Sequence, residues 1–267
     1  MTKRLRIFAG PNGSGKSSII RKIINTDVQE GVKLDFGIYI NADDIAKDLL
    51  KKGCGFSKYE IKLDENEFYQ IVFDSGLIND DFDKSRFEKC ISIQKNKLTV
   101  IKEAALEKED NPYERIAQII ADYLRKKLLS EEKKFSFETV FSHQGKVEII
   151  KQAKEAGYKV YLYFVSTEDP EINVYRVKEV RVAQKGHDVD EQKIRSRYYR
   201  SMDLLFEAAQ YCYQCYFFDN SKNGHDQTMF AHFKLNAEGE KVWDKLDQKS
   251  YPDWFKKYYS SKIIQKK

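Results

Sequence analysis

Eight residues near the start of the chain, Gly10-Pro-Asn-Gly-Ser-Gly-Lys-Ser17, have the types and spacing to hold a polyphosphate. Gly-x-x-x-x-Gly-Lys-Ser is the Walker A pattern. Gly10, Gly13 and Gly15 allow the backbone to curl so that successive N–H groups point inward. Pro11, Asn12 and Ser14 fill the loop between them, and Ser18 follows it. Lys16 is expected to reach the β- and γ-phosphates as a mobile charge, and Ser17 to offer its hydroxyl to Mg²⁺. The competing reading is a glycine-rich structural turn. A nucleoside triphosphate with Mg²⁺ is the ligand this loop implies.

Phosphoryl transfer also needs a carboxylate to take a hydroxyl proton and cations to hold the transferring charge. Asp43 and Asp44 end the run Ile38-Tyr-Ile-Asn-Ala-Asp-Asp44. Either could instead cap the next helix; Asp43 is read as the chemical residue and Asp44 as the cap. Glu138 and Thr139 end another apolar run, where a carboxylate would lie near Mg²⁺ or the acceptor, or else pair with a lysine. His143 follows as a loop histidine. Arg176 and Arg181 lie five apart on one expected helix, so that only one should face the phosphates. Arg195, Arg197 and Arg200 begin the next helix, and one of them could close over the nucleotide. Cys212-Tyr-Gln-Cys215 has CxxC spacing without a second pair, and reads as two thiols entering a buried strand.

The elements that must position these residues alternate. Arg4–Ala9 reads as a buried strand running into Gly10, and Ser18–Ile24 as a helix. Further strands are expected at Phe36–Ile40, Lys134–Phe141, Tyr158–Val165 and Tyr213–Phe218. Helices are expected at about 146–156, closed by Gly157, and after Asp169-Pro170, where Asp is N-cap and Pro the first helical residue. Such alternation is the pattern of a parallel sheet covered on both faces. The stretch between Asp43 and Glu138 is longer than one crossover needs. It holds an amphipathic helix at Glu65–Phe73, a hairpin turning at Lys95-Asn96, and a helix from Tyr113 to Leu129 after Pro112. Residues 51–111 are therefore read as an inserted cap within a single domain spanning 1–267. Residues 226–267 form a C-terminal extension with an edge strand at Met229–Leu235 and a final helix.

Composition bounds the rest. The chain has 267 residues, with 47 basic and 42 acidic residues interspersed for a net charge of +5, and 41% are hydrophobic. That suits a folded domain with a sizeable core and argues against disorder. No apolar run approaches a membrane span, and nothing marks a signal sequence. A cytoplasmic protein without a disulfide framework is expected.

Four blocks together resemble the zeta-toxin-like P-loop kinases. They are Gly10–Ser17; Ile40-Asn-Ala-Asp43-Asp44-Ile-Ala46; Phe135-Ser-Phe-Glu138-Thr139; and Arg176 through Arg181 to Lys185-Gly-His187-Asp-Val-Asp190, continuing to Ser201. The last is similar to a Gly-Gly-His-Asp-Val-Pro segment of the family's shorter branch. Lys185 stands where that branch has its first Gly, and Asp190 where it has Pro. The resemblance implies an α/β, P-loop kinase-like sheet of about five strands. It further implies transfer of the γ-phosphate of ATP to a hydroxyl, with Asp43 as general base. Lys16 and Arg176 or Arg181 would act on the transferring phosphoryl group, and Arg195 is the lid candidate. Glu138 and Thr139 would face the acceptor. In the toxins that acceptor is a UDP-linked N-acetylamino sugar. His187 is read as a turn residue in preference to a catalytic acid.

The leading expectation is a kinase of a small-molecule acceptor. Two alternatives stand beside it: an ATP-binding regulatory module working through its insertion, and a nucleic-acid 5′-hydroxyl kinase. Mixed charge in the insertion, with Asp80-Asp81-Phe-Asp83, ranks the last lowest. No membrane partner is expected, and nothing in the residues identifies an antitoxin-like protein partner.

Overall fold

The computed structural model describes residues 2–29, 31–102, 112–181, 189–246 and 251–264. Arg181 is described in its backbone alone, and the expectations for Lys185 and His187 fall outside the described residues. The chain forms two compact units, Met1–Phe36 with Ser136–Lys267, and Gly37–Phe135.

In chain order the first unit opens with β1 (Arg4–Ala9), α1 (Lys16–Asn25) and a small ribbon of β2 (Asp27–Gln29) and β3 (Val32–Lys33). The second holds β4 (Ile38–Ile40), α2 (Ala42–Lys51), β5 (Cys54–Gly55), α3 (Glu65–Phe73), α4 (Lys84–Cys90), β6 (Ile91–Gln94), β7 (Lys97–Val100) and α5 (Pro112–Ser130). The first resumes with β8 (Phe135–Thr139), α6 (Gly145–Glu155), β9 (Lys159–Ser166), α7 (Pro170–Tyr175), α8 (Glu191–Ala209), β10 (Gln214–Asp219), β11 (Thr228–Leu235) and β12 (Lys241–Leu246). A helical end follows over 253–264.

The strands of the first unit lie in the order β12-β11-β10-β9-β1-β8. The pairs β1 with β9 and β9 with β10 are parallel. Their alternating residues explain why. Leu5 and Ile7, Val160, Leu162 and Phe164, and Cys215 and Phe217 all point one way and are fully buried. Trp254 and Tyr259 of the C-terminal helical segment cover that face, with ring centroids 6.0 Å from Phe164 and 5.1 Å from Phe217. Burying this apolar row is what fixes the strand register, because a one-residue slip would turn it to the other face.

The sheet then departs from pure alternation. β10 pairs antiparallel with β11, and β11 with β12, so the C-terminal part contributes two strands where the sequence suggested one. The turn between them is closed by Asn236, whose Oδ1 accepts the Glu240 N–H at 2.8 Å, and Gly239 takes φ +82°. The β2–β3 ribbon was also unanticipated: the described Val32 and Lys33 are exposed, so no hydrophobic pattern marks them.

In the second unit, α2 and α3 both pack on α5. Phe68 sits at the centre of an aromatic cluster, 4.9 Å from Tyr123 and 6.2 Å from Phe56 between centroids. The hairpin β6–β7 turns through Lys95 and Asn96, both at positive φ (47° and 64°). Asn96 tolerates that conformation, and its side chain is fully used there. Its Oδ1 accepts from Leu63 N–H at 2.7 Å, and its Nδ2 donates to the Ile61 carbonyl at 2.9 Å.

Candidate nucleotide-binding site

β1 delivers the chain into the loop, and α1 begins at its far end. Gly10 has φ +144°, and a Cβ there would overlap the Val165 carbonyl of β9, so no other residue fits without moving the sheet. Gly15, at φ +96°, precedes the helix and is backed by the Asn220 amide. The expected curled loop is therefore enforced by its neighbours as well as permitted by its glycines.

Two side-chain amides hold the loop from behind. Asn173 of α7, fully buried, donates from Nδ2 to the Asn12 carbonyl at 2.5 Å, and its Oδ1 accepts from the Thr167 hydroxyl. Asn220, just after β10, donates from Nδ2 to the Ser14 carbonyl at 2.8 Å. A trans peptide sets its C=O and N–H in opposite directions. Pinning the carbonyls of residues 12 and 14 outward thus aims the N–H groups of Gly13 and Gly15 the other way. Sequence reasoning missed both asparagines, since neither lies in a motif; only the sheet order brings positions 173 and 220 to the loop.

Lys16, 7% exposed, donates from Nζ to the Pro11 carbonyl at 2.9 Å and so lies folded against its own loop. Asn12 Oδ1 and Ser14 Oγ are buried without a hydrogen-bond partner. Such orphaned groups are costly unless something satisfies them. Ser17, the second residue of α1, donates its hydroxyl to Glu138 at 3.2 Å (Oε1) and 3.3 Å (Oε2). A hydroxyl and a carboxylate side by side at a helix N-terminus are a donor set suited to Mg²⁺, which takes few protein ligands and completes its shell with phosphate and water.

Thr139 lies beside Glu138, with its Oγ1 accepting the Phe141 N–H at 3.2 Å. Phe141 is fully buried and has φ +62°, a strained conformation for a bulky residue. Thr139 is thus engaged in turning the chain. His143 is exposed, and its Nδ1 accepts from Gly145 N–H at 3.1 Å, so it caps the start of α6.

Arg176 and Arg195 are engaged. Arg176 donates from Nη1 to the Asn220 carbonyl at 2.7 Å and from Nε and Nη2 to Asn223 Oδ1 at 3.0 and 2.7 Å. Burial lowers its guanidinium below the usual range, against the pull of Asp219. The backbone over Arg176–Arg181 is wound as a π-helix, wider than the α-helix expected there. Arg195 is clamped by Glu171 at 2.6 Å and 2.8 Å and by Glu191 at 3.0 Å. An open groove of about 580 Å³ runs beside Asn220, bordered by Lys222, His225, Asp226 and Tyr251.

Asp43 and Asp44 belong to the second unit. The N-cap of α2 is Asn41, whose Oδ1 accepts the Asp43 N–H at 2.8 Å. This corrects the assignment of the cap to Asp44. Asn41 alone has the extended backbone from which a side chain can reach back to the first turn. Asp44 instead pairs with Lys47 at 3.2 Å. Asp43 and Asp44 are exposed in the first helical turn. Cys212 and Cys215 are buried free thiols at the entry of β10, and burial pushes the Cys215 thiol well up. Among the described residues no His, Cys, Asp and Glu cluster has metal-site geometry, and no helix is long and apolar enough to cross a membrane.

Neither a family model nor a curated protein matches the chain. Solved structures do. One is the AvrRxo1-ORF1:AvrRxo1-ORF2 complex with sulphate ions, at TM-score 0.51 and 13% identity over 93% of this chain and 63% of that one. Another is the same pair with ATP, at TM-score 0.51 and 13% identity over 96% and 63%. A third is from the PezAT toxin–antitoxin system of Streptococcus pneumoniae, at TM-score 0.43 and 14% identity over 97% and 79%. The chain therefore spans under two-thirds of the length of the AvrRxo1 chains it matches. The likeness establishes the fold: an α/β domain whose mostly parallel central sheet is flanked by helices.

Proposed function

We propose that the chain is a Mg²⁺- and ATP-dependent kinase that moves the γ-phosphate to a hydroxyl of a small molecule. The observation that carries this reading is the Ser17–Glu138 pair, at 3.2 Å, at the mouth of a loop whose amides are aimed inward from behind. The similarly folded AvrRxo1 protein was solved with ATP, which supports that ligand.

In this reading the amides of the loop and the N-terminus of α1 bind the phosphate chain. Lys16 exchanges the Pro11 carbonyl for the β- and γ-phosphate oxygens, and the orphaned Asn12 and Ser14 side-chain oxygens gain partners. Ser17 and Glu138 would hold Mg²⁺, which would supply positive charge against the phosphates. Asp43 is assigned as the base that takes the acceptor's proton, on its match to the family pattern. Arg176 or Arg181 is assigned to the phosphoryl oxygens, and Arg195 would act as a lid once its carboxylate clamp opens. Glu138 and Thr139 border the acceptor side, and Pro11, Gly13 and Ser18 complete the loop. A UDP-linked N-acetylamino sugar is the first acceptor to try. AvrRxo1-ORF1 was solved with a second protein, so a protein partner of this chain belongs to the same proposal, as does residence in the cytoplasm.

The test is a screen of nucleotide sugars, nucleosides and small alcohols for ATP-dependent phosphorylation. Lys16→Ala should lose ATP binding or turnover, and Asp43→Ala should keep ATP binding and lose transfer. Transfer that survives in Asp43→Ala removes the base assignment. Slow ATP hydrolysis indifferent to every acceptor removes the kinase.

A further inference from the structure

The sheet of the first unit has a second face, opposite the one covered by Trp254 and Tyr259. Strand register sets two rows of side chains across it: Arg6, Tyr161, Gln214 and Lys234, then Phe8, Tyr163, Tyr216 and His232. Phe8 is closed over by Phe36, at 5.5 Å between centroids. Beyond Phe8 the face stays partly open. Tyr161, Tyr213, Gln214 and Tyr216 are half-buried, and Lys159 and Lys234 are exposed. Among the described residues, the ring, cation and hydrogen-bond partners of these tyrosines all lie on this same face.

The charge on this face is one-sided. Lys159 and Lys234 converge on a single ring, their Nζ atoms 4.7 Å and 5.9 Å from the Tyr213 centroid. The Arg6 guanidinium lies under Tyr161, 5.0 Å from its centroid, and is 3% exposed. Its Nε and Nη1 have no hydrogen-bond partner. Among the described residues no carboxylate pairs with any of these three cations. Asp244, an acid on this face, is held by His232 at 2.7 Å. A buried guanidinium with idle donors is expensive, and converging ammonium groups repel; an anion supplied from outside relieves both.

We propose that this face is the docking surface for a partner protein that presents a cluster of carboxylates. Tyr and Arg are the residues that concentrate binding energy at protein interfaces, and the planar fork of Arg6 matches a carboxylate. The half-buried Tyr161 ring is the cover that must swing for the fork to be reached, a rotamer change of the kind interfaces commonly induce. A single-stranded nucleic acid fits less well, because it needs open ring faces. Here the rings face one another, Tyr163 on Tyr216 at 4.7 Å and 3°, and Tyr216 on His232 at 4.2 Å, while the lysines cap Tyr213. This surface does not depend on the kinase reading.

The experiment uses the full chain and three labelled probes: a peptide of Glu and Leu, its Gln and Leu counterpart of equal length, and a single-stranded RNA. The Glu peptide should bind best and slow amide hydrogen exchange in β9 and β10. Lys159→Glu with Lys234→Glu should weaken it by about tenfold or more, with ATP affinity unchanged. Arg6→Lys, which keeps the charge and loses the fork, should weaken it separately. Tighter binding of the RNA overturns the proposal, and so does protection elsewhere on the chain. Peptide affinity that survives the double reversal does the same, as does concentration-dependent self-association that the reversal abolishes, which would make a second copy the occupant.

Discussion

Asn173→Ala tests whether the phosphate loop is aimed by side chains behind it. The substitution removes the donor to the Asn12 carbonyl, and one of two acceptors of the Thr167 hydroxyl, which keeps the Asp169 carbonyl, at a fully buried position. Each buried group left without a partner costs about 1–3 kcal/mol. Part of that lowers stability. The rest is lost as order in the peptide joining Asn12 to Gly13, whose N–H is one of the cradle's donors. If about 1.5–3 kcal/mol of it reaches the bound state, ATP affinity falls by about ten- to a hundredfold. Titration calorimetry with Mg²⁺-ATP measures the affinity, and a thermal melt without nucleotide separates the stability part. Asn220→Ala, which frees the Ser14 carbonyl, should act in the same direction by a separate contact. A variant that melts lower yet binds ATP within about twofold of the parent would refute the reasoning, for the amides would then need no support from behind.

Other outcomes follow from neighbouring contacts. Gly10→Ala must drive its methyl into the Val165 carbonyl and should cost several kcal/mol, on the order of an overpacked core; a chemical-denaturation midpoint equal to the parent's would contradict the described close approach. Glu138→Gln keeps a hydrogen-bonding partner for Ser17 but removes the charge, so the Mg²⁺ concentration needed for half-maximal ATP binding should rise about tenfold or more, while binding of ATP without the metal holds. The Arg195 hydrogen bonds hold the Glu171 carboxyl below its usual 4.5. A depressed acid stabilises the fold above its unfolded-state value and loses that contribution as pH falls through the folded-state value. The stability gap between parent and Glu171→Gln should therefore be present at neutral pH and close below pH 4.5, and a gap that persists in acid would assign it to packing.

The curled glycine loop, the alternation of strand and helix, and most of the capping residues could be read from residue order, because each depends on neighbours a few positions away. Gly10, Gly15 and Lys16 lie within one turn of backbone. Asp169-Pro170 and Asp190 cap their helices as their types require: the Asp169 side chain accepts from Glu171 N–H and that of Asp190 from Lys193 N–H. The hairpin at Lys95-Asn96 and the helix Glu65–Phe73 are equally local. What only tertiary structure decided is whatever depends on the order of strands in the sheet. Asn173 and Asn220 reach the loop across 161 and 206 positions of chain, and no spacing rule links them to it. The Ser17–Glu138 pair joins the start of a helix to the end of a strand 121 positions away. Capping by Asn41 over Asp44 turned on one backbone angle. The open tyrosine face was hidden for the same reason: alternation along a strand says which residues share a side, and only the packing of helices says which side stays uncovered.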